Sequence, residues 1–406
     1  MARKKELVEA DTSNEEVVAL EAIDNEDEFF GDKPVRWYQI AARNAVAQAL
    51  KQGLRRICVV MPTGSGKTLT SGLIFSNDDI RKALGVKHGE KLRLLFIAHK
   101  HRLLSQAELA YADAENVELI LQSAFSDLNP ELIEKGWHVT CLDEAHHEAM
   151  MSIQLQLEHI GDLPIIGLTA TPDRADGCLI KFEEIVNPIS REQAVLEGWL
   201  APTQLYSFVD APERDKTGIL KDIFKSYAHK MGQTMVFVRT KNEVRIITDY
   251  LHKLGYTAVP ILLQSEAELN RTLNDFSEKK FQFVVNCNKI NEGVDVKFCE
   301  SVVLGRQFGS YPQLNQVIGR ASRPDSDCRV WELINPLSGR NLDTTVVVGT
   351  PELHKLVYRI NGKWVEEEFD YTSDSSGEDL GGFDRGAATG FMGARTGERV
   401  QFRGRS

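Results

Sequence analysis

The chain is 406 residues long, 42% hydrophobic and 26% charged, a balance that suits two or three water-soluble domains rather than a membrane or disordered protein. No apolar run approaches the ~18 residues of a bilayer-spanning helix. The charged N-terminus is unlike a secretory leader, and six cysteines without a CxxC pair point away from zinc and disulfide frameworks and toward a reducing, cytoplasmic setting, bacterial or phage-infected. The formal charge of −11 comes from the ends: residues 1–30 and 366–380 each carry −7, residues 381–406 carry +3, and residues 31–365 are neutral. A low isoelectric point therefore does not exclude a local basic groove for nucleic acid.

In chain order, residues 1–30 are too acidic and too poor in apolar groups to offset their ordering entropy, and read as a disordered tail. Strands are then predicted at 56–61, 92–98, 117–121, 139–143 and 165–169, with helices over 38–52 and 102–114. A stretch containing Asn187, Pro188, Gly198 and Pro202 interrupts the pattern. A second series follows, with strands at 203–208, 235–238, 258–262, 281–287, 301–304 and 330–334 and a helix over 241–253. Apolar strands alternating with helices imply parallel α/β sheets, here twice. The expected division is an acidic tail (1–30), a first domain (31–190), a linker (191–204), a second domain (205–350) and a C-terminal extension (351–406). That extension reads as a flexible acidic, then Gly/Arg-rich tail from about residue 366. Arg/Gly segments of this kind hold nucleic acid loosely, and the acidic tails offer a charged surface to a protein partner.

Two stretches carry chemistry. Residues 61–68 read Met-Pro-Thr-Gly-Ser-Gly-Lys-Thr, after a strand and before a helix. This is the arrangement of a P-loop. Backbone amides of Thr63, Gly64, Ser65 and Gly66 close around phosphates, Lys67 reaches the outer phosphate oxygens, and the Thr68 hydroxyl meets Mg²⁺. The helix N-terminus adds a field that favours anions. The general pattern wants glycine where this chain has Met61, but the centre of the loop is intact. The strand at 139–143 ends in Asp143-Glu144-Ala145-His146. Adjacent carboxylates at such a strand end suit a metal-binding Asp143 and a water-activating Glu144.

With both stretches in place the chain resembles the superfamily 2 helicases and translocases of the DExD/H-box group, which imply two tandem RecA-like domains of the P-loop NTPase kind. The resemblance covers roughly residues 36–324 with its motifs in order. It assigns Arg36 and Gln39 to the adenine base. Residues 96–106, with Lys100 and Arg102, match the motif that touches nucleic-acid backbone. Gln122 falls in a weak further motif of that kind. Thr169 and Thr171 match the TAT motif that links ATP to the nucleic-acid groove, with His146 coupling to it. In the second half, Arg239 and Thr240 fall in a nucleic-acid motif, and Gly293 and Asp295 in one that contacts ribose or couples the domain. Gln316, Arg320 and Arg323 share one helical face by their spacing. By resemblance the two arginines act on the γ-phosphate, and Gln316 couples the ATP site to the domain interface.

Three local features resemble the DNA-directed branch, with its repair translocases, restriction-enzyme motors and phage helicases. These are DEAHH at 143–147, GLTATPDRADG at 167–177 and EQAVLEGWLAP at 192–202. The expected activity is an ATP- and Mg²⁺-dependent motor on DNA, gripping phosphates without reading sequence. An RNA helicase and a non-enzymatic nucleic-acid-binding regulator on the same fold stay open as alternatives. Trp37 and Tyr38 belong either beside the base or in packing.

Overall fold

The computed structural model describes residues 28–99, 101–171, 180–210, 215–262, 264–287, 299–319, 321, 328–334, 344–348 and 353–368, with residues 101, 102, 266, 345 and 346 as main chain only. Lys100, Gly293, Asp295, Arg320, Arg323 and both tails lie outside the described residues, as does the side chain of Arg102.

The strands, in order, are β1 (Phe29–Phe30), β2 (Lys33–Pro34), β3 (Arg56–Val60), β4 (Leu92–Ala98), β5 (Val117–Ser123), β6 (Val139–Asp143), β7 (Ile165–Thr169) and β8 (Glu184–Val186). The second half adds β9 (Thr203–Val209), β10 (Thr234–Phe237), β11 (Ala258–Ile261), β12 (Phe283–Asn286), β13 (Ser301–Leu304), β14 (Cys328–Ile334), β15 (His354–Ile360) and β16 (Lys363–Glu368). They form a six-stranded sheet, β5-β4-β6-β7-β3-β8, and an eight-stranded sheet, β11-β12-β10-β13-β14-β9-β15-β16. Every pairing in these two sheets is parallel except β15 with β16.

Helices cover both faces of each sheet, which is why the strands read as unbroken apolar runs. Ile57 and Val59 of β3 pack in one cluster with Ile40, Val46 and Ile74. Cys58 and Val60 point the other way, into a cluster with Ile153 and Leu157. The second sheet divides likewise: Met235 and Phe237 pack with Leu314 and Val317, and Val236 packs with Ile223, Phe224 and Ile247. This is the doubled α/β architecture that the sequence predicts, and the main strands sit where their apolar runs place them.

The differences are local. β5 runs on to Ser123, because Gln122 and Ser123 pair with Ile97 and Ala98. The helix predicted over 102–114 is His101–Ala110. Glu366, Glu367 and Glu368, which read as the start of the acidic tail, are strand residues: β16 pairs with β15, which pairs with β9, so residues 354–368 extend the second sheet. Phe29 and Phe30 likewise leave the N-terminal tail to pair with Lys33–Pro34. Between the sheets runs the helix Arg191–Leu196, capped by the Ser190 side chain, which accepts from the Gln193 amide. Arg191 Nε donates to the Val348 carbonyl at 3.0 Å.

Candidate nucleotide site and nucleic-acid face

The P-loop leaves β3 at Met61, whose amide donates to the Thr169 carbonyl at 2.9 Å and so ties the loop to the end of β7. Gly64 and Gly66 have φ near +90°, in the left-handed region, where a side chain would strain the loop. The helix Lys67–Ser76 starts directly after Gly66, and Lys67 Nζ lies 3.5 Å from the Met61 carbonyl oxygen. The helix Trp37–Lys51 braces this loop from outside. Tyr38 Oη donates to the Ser65 carbonyl at 2.9 Å, and Gln39 Nε2 lies 3.5 Å from the same oxygen. Gln39 Oε1 accepts from the Arg36 amide at 3.0 Å, and Arg36 donates to Tyr38 Oη at 2.7 Å. Arg36 and Gln39, the predicted base readers, therefore sit beside the P-loop. Tyr38, fully buried, makes the bond that fixes them there.

The carboxylate pair sits at the end of β6. Asp143 keeps some accessible surface, but its carboxyl lies deep enough that burial, joined by the neighbouring Glu144 charge, pushes its pKa up to about 7 against the opposing pull of Lys67. Glu144 has φ +51°, a left-handed conformation that costs a non-glycine residue on the order of 1 kcal/mol and clusters at functional sites. Its Oε2 is buried without a hydrogen bond among the described residues, 3.4 Å from His146 Nδ1. His146 Nδ1 also lies 3.0 Å from Thr169 Oγ1. The Thr169 hydroxyl donates to the Thr171 carbonyl at 2.9 Å, so its lone pair takes the imidazole Nδ1–H. His146, Thr169 and Thr171, predicted to couple, thus meet in one buried cluster. The sequence does not show what lies behind it: the His147 ring lies tilted against His146 with centroids 4.2 Å apart, and against His99 at 4.8 Å. Three imidazoles run in a row from the end of β4 to the carboxylates.

The donors fit a magnesium–nucleotide complex. A buried carboxyl driven toward its neutral form is relieved by a divalent cation, and the oxygens of Asp143 and Thr68 are the hard donors that Mg²⁺ takes.

At the C-terminal edge of the first sheet the predicted nucleic-acid residues divide. Gln122 does not face outward: its amide is buried and donates to Ser123 O, Ser126 O and Ser126 Oγ at 2.9–3.1 Å. Gln156 reaches the same two carbonyls at 2.9 and 2.7 Å, so the two amides shape the loop after β5. Thr240 likewise bonds within its own domain. Its hydroxyl accepts from the Glu243 amide, and Glu243 accepts from the Thr240 amide in return, a capping box worth about 1 kcal/mol to the helix Lys241–Lys253. Arg239 stays exposed.

From the second sheet comes the helix Tyr311–Ile318, with Gln316 buried on it. Its end touches the P-loop: a methyl group on Gly319 would lie 2.4 Å from Thr63 Cγ2 and 2.5 Å from Thr63 Cβ. The residue before Arg320 is therefore packed against the phosphate loop of the other sheet.

Two family descriptions match the two halves. Residues 32–125 match the res subunit of type III restriction enzymes, and residues 215–325 match the helicase conserved C-terminal domain. These matches support a superfamily 2 helicase or translocase of the restriction-motor type. The chain is 27% identical over 350 residues to a mitochondrial ATP-dependent helicase, irc3, of Schizosaccharomyces pombe, covering 75% of the chain and 58% of that protein. It is 25% identical over 371 residues to the type I restriction enzyme EcoAI endonuclease subunit of Escherichia coli, covering 72% and 44%. The chain thus spans about half the length of the curated relatives it matches. Among solved structures, the HsdR subunit fragment of a type I restriction enzyme from Vibrio vulnificus superposes with a TM-score of 0.61 at 22% identity, over 81% of this chain and 70% of that one. The type ISP restriction-modification enzyme LlaBIII, solved bound to DNA, gives 0.58 at 16%, over 79% and 30%. At these identities the superpositions establish the fold: two RecA-like domains. Among the described residues no helix is long and apolar enough to cross a membrane.

Proposed function

We propose that the chain is an ATP-dependent motor that moves along or remodels DNA, duplex or branched, in replication, recombination or repair. One observation carries it: Gly319 is seated on Thr63. That contact joins the two halves of a split nucleotide site, which a binding protein with no power stroke does not need. Lys67 and the amides of residues 63–66 hold the phosphates, Thr68 and Asp143 would hold Mg²⁺, and Arg36 and Gln39 face the base. Glu144 orients and deprotonates the attacking water. Arg320 and Arg323 stabilise the charge that spreads over the transferred phosphoryl group, and Gly293 and Asp295 meet the ribose side. Closure completes the site and hydrolysis reopens it. The magnesium-bound nucleotide supplies the leaving group and the metal's charge. The protein positions the groups, admits the one attacking water and takes its proton.

Lys100, Arg102 and Arg239 grip the backbone of the strand, so binding is independent of sequence and weakens with salt. His146 and Gln316 transmit closure. DNA is preferred over RNA because the relatives include DNA-restriction enzymes. The acidic tails are the surface for a protein partner, and the setting is cytoplasmic. Steady-state ATPase assays with no nucleic acid, single-stranded, duplex or forked DNA, or RNA test this beside Glu144→Gln. Stimulation by DNA that the variant loses supports the motor. Stimulation by RNA alone moves the substrate to RNA. No hydrolysis under any condition, with nucleic acid still bound, overturns the motor.

A further inference from the structure

The segment joining the two sheets does more than connect them. Its helix Arg191–Leu196 ends at Glu197, and Gly198 follows with φ +77°. The left-handed glycine turns the chain so that the amides of Trp199 and Leu200 both reach back to the Ala194 carbonyl, at 2.8 and 3.0 Å. That turn lays Trp199 against the start of the helix Trp37–Lys51. Glu197 fixes it there: its Oε2 accepts from the indole nitrogens of Trp37 at 2.7 Å and Trp199 at 2.8 Å, and its Oε1 accepts from Gln193 at 2.9 Å. Two indoles more than 160 positions apart thus share one carboxylate oxygen.

Trp199 then faces Arg36. The guanidinium lies 5.0 Å from the Trp199 ring centroid, and Tyr38 meets the same indole edge-on at 6.2 Å. Arg36 and Trp199 both keep part of their surface accessible. One face of the guanidinium rests on the indole, and the group stays within reach of a flat ligand. A guanidinium on an aromatic face is held by the ring's quadrupole and becomes a rigid plane. The same Arg36 donates to Tyr38, which donates to Ser65 in the phosphate loop.

We infer that Trp199, oriented by Glu197, is a positioning residue of the nucleotide-base pocket: it holds the Arg36 guanidinium flat for the adenine ring and so sets the preference for ATP over other nucleoside triphosphates. This rests on the assignment of Arg36 and Gln39 to the base. The pocket wall comes from the connecting segment rather than from either domain, and a bound base ties down the strip of chain that must move when the domains close.

The test separates base from phosphate. ATP and GTP hydrolysis are measured at saturating DNA for the wild type, Trp199→Ala, Trp199→Phe and Glu197→Ala. Inorganic tripolyphosphate, which has no base, serves as a competitive inhibitor. Trp199→Ala is expected to raise KM for ATP about tenfold, with kcat within about twofold, and to erode the ATP-over-GTP preference by a similar factor. Inhibition by tripolyphosphate should not change. Trp199→Phe, which keeps a ring under Arg36, should recover most of the loss, and Glu197→Ala should follow Trp199→Ala. An unchanged KM for ATP in Trp199→Ala overturns the inference. So does an equal loss for ATP, GTP and tripolyphosphate, which would mark general damage to the loop. A wild type that hydrolyses no triphosphate would instead overturn the motor itself.

Discussion

The contact between Gly319 and Thr63 gives the most direct handle on how the two halves work together. A Gly319→Ala methyl group would arrive 2.4 Å from Thr63 Cγ2 and 2.5 Å from Thr63 Cβ, where ordinary contact begins at 3.4 Å. The surfaces must part by about 1 Å, and rotating the β-branched Thr63 side chain does not help, because its Cβ is itself too close. Arg320 follows directly in the chain, so the shift is passed to the arginines that complete the site. A 1 Å misplacement of a catalytic group costs about 10²-fold, and complete loss of an arginine finger 10³-fold or more. Steady-state ATPase at saturating DNA should therefore show kcat lowered by about 100-fold, with KM for ATP changed by less than about threefold, since the P-loop keeps its own contacts. The same methyl group would lie 2.9 Å from the Asn315 carbonyl oxygen of its own helix, so a circular-dichroism melt without nucleotide should fall by only a few degrees, and the loss of kcat should exceed what that partial destabilisation explains. A variant whose kcat stays within threefold of wild type would mean that this contact is not part of the productive closed state.

Three further outcomes follow from Asp143, His354 and His147. Asp143, with its pKa pushed up to about 7 by burial and Glu144, binds more protons folded than unfolded between about pH 4 and 7, so it lowers stability as pH rises through that window. In magnesium-free buffer the melting temperature of Asp143→Asn relative to wild type should therefore climb from pH 5 to pH 8, and added Mg²⁺ should erase the climb; a flat difference would contradict the buried-carboxyl reading. His354 is the opposite case: burial pushes its pKa down to about 4, and its Nε2 lies 2.8 Å from the Ser207 hydroxyl. Between pH 6.5 and 4 the unfolded chain binds more protons, so stability attributable to His354 is present above pH 6.5 and lost, by at most about 3 kcal/mol, as pH falls through that range. In denaturant titrations the stability of wild type minus that of His354→Gln should rise from pH 4 to pH 6.5 and level off above it, and a pH-independent difference would refute the assignment. His147→Ala breaks the row of imidazoles between β4 and the carboxylates and should lower DNA stimulation of the ATPase about fivefold, with the unstimulated rate held within about twofold; a loss of both rates together would show that His147 supports the fold rather than the coupling.

Much of this was legible because phosphate chemistry is local in sequence. The P-loop needs its glycines, lysine and threonine within a few residues, and Asp143 and Glu144 must end a buried strand, so residue order alone exposes them. Apolar runs such as Leu92–Ala98 and Val139–Asp143 announce central strands because both faces are covered. What stayed hidden depends on chain reversals that bring distant residues together. Nothing near Tyr38 signals the Ser65 carbonyl, nothing near His99 signals His147, and Gly319 beside Thr63 joins the two halves of the chain. Gln122 is assigned to nucleic acid by motif position alone, but whether a strand-end side chain points out or folds into the next loop is decided by carbonyls that need a donor, here those of Ser123 and Ser126. The cap at Thr240 could have been read from the sequence, since Thr240-Lys241-Asn242-Glu243 is a capping-box pattern. Glu366–Glu368 could not, because glutamate is a poor strand former and only the pairing with β15 makes it one.

Those glutamates have a further consequence. Among the described residues the eight-stranded sheet, parallel but for β15 with β16, ends in two edge strands, and an open edge is a row of unpaired amides and carbonyls that invites a second copy to dock and fibrils to grow. On β16 the closing residues are Glu366, Glu367 and Glu368; Glu366 is paired with Lys230 and Lys355, which leaves Glu367 and Glu368 as the charges that repel another copy of the same strand. On the opposite edge β11 carries Pro260, which has no amide to offer. The chain therefore guards both flanks of its second sheet by different means, and neutralising the glutamate rim should cost solubility before it costs stability.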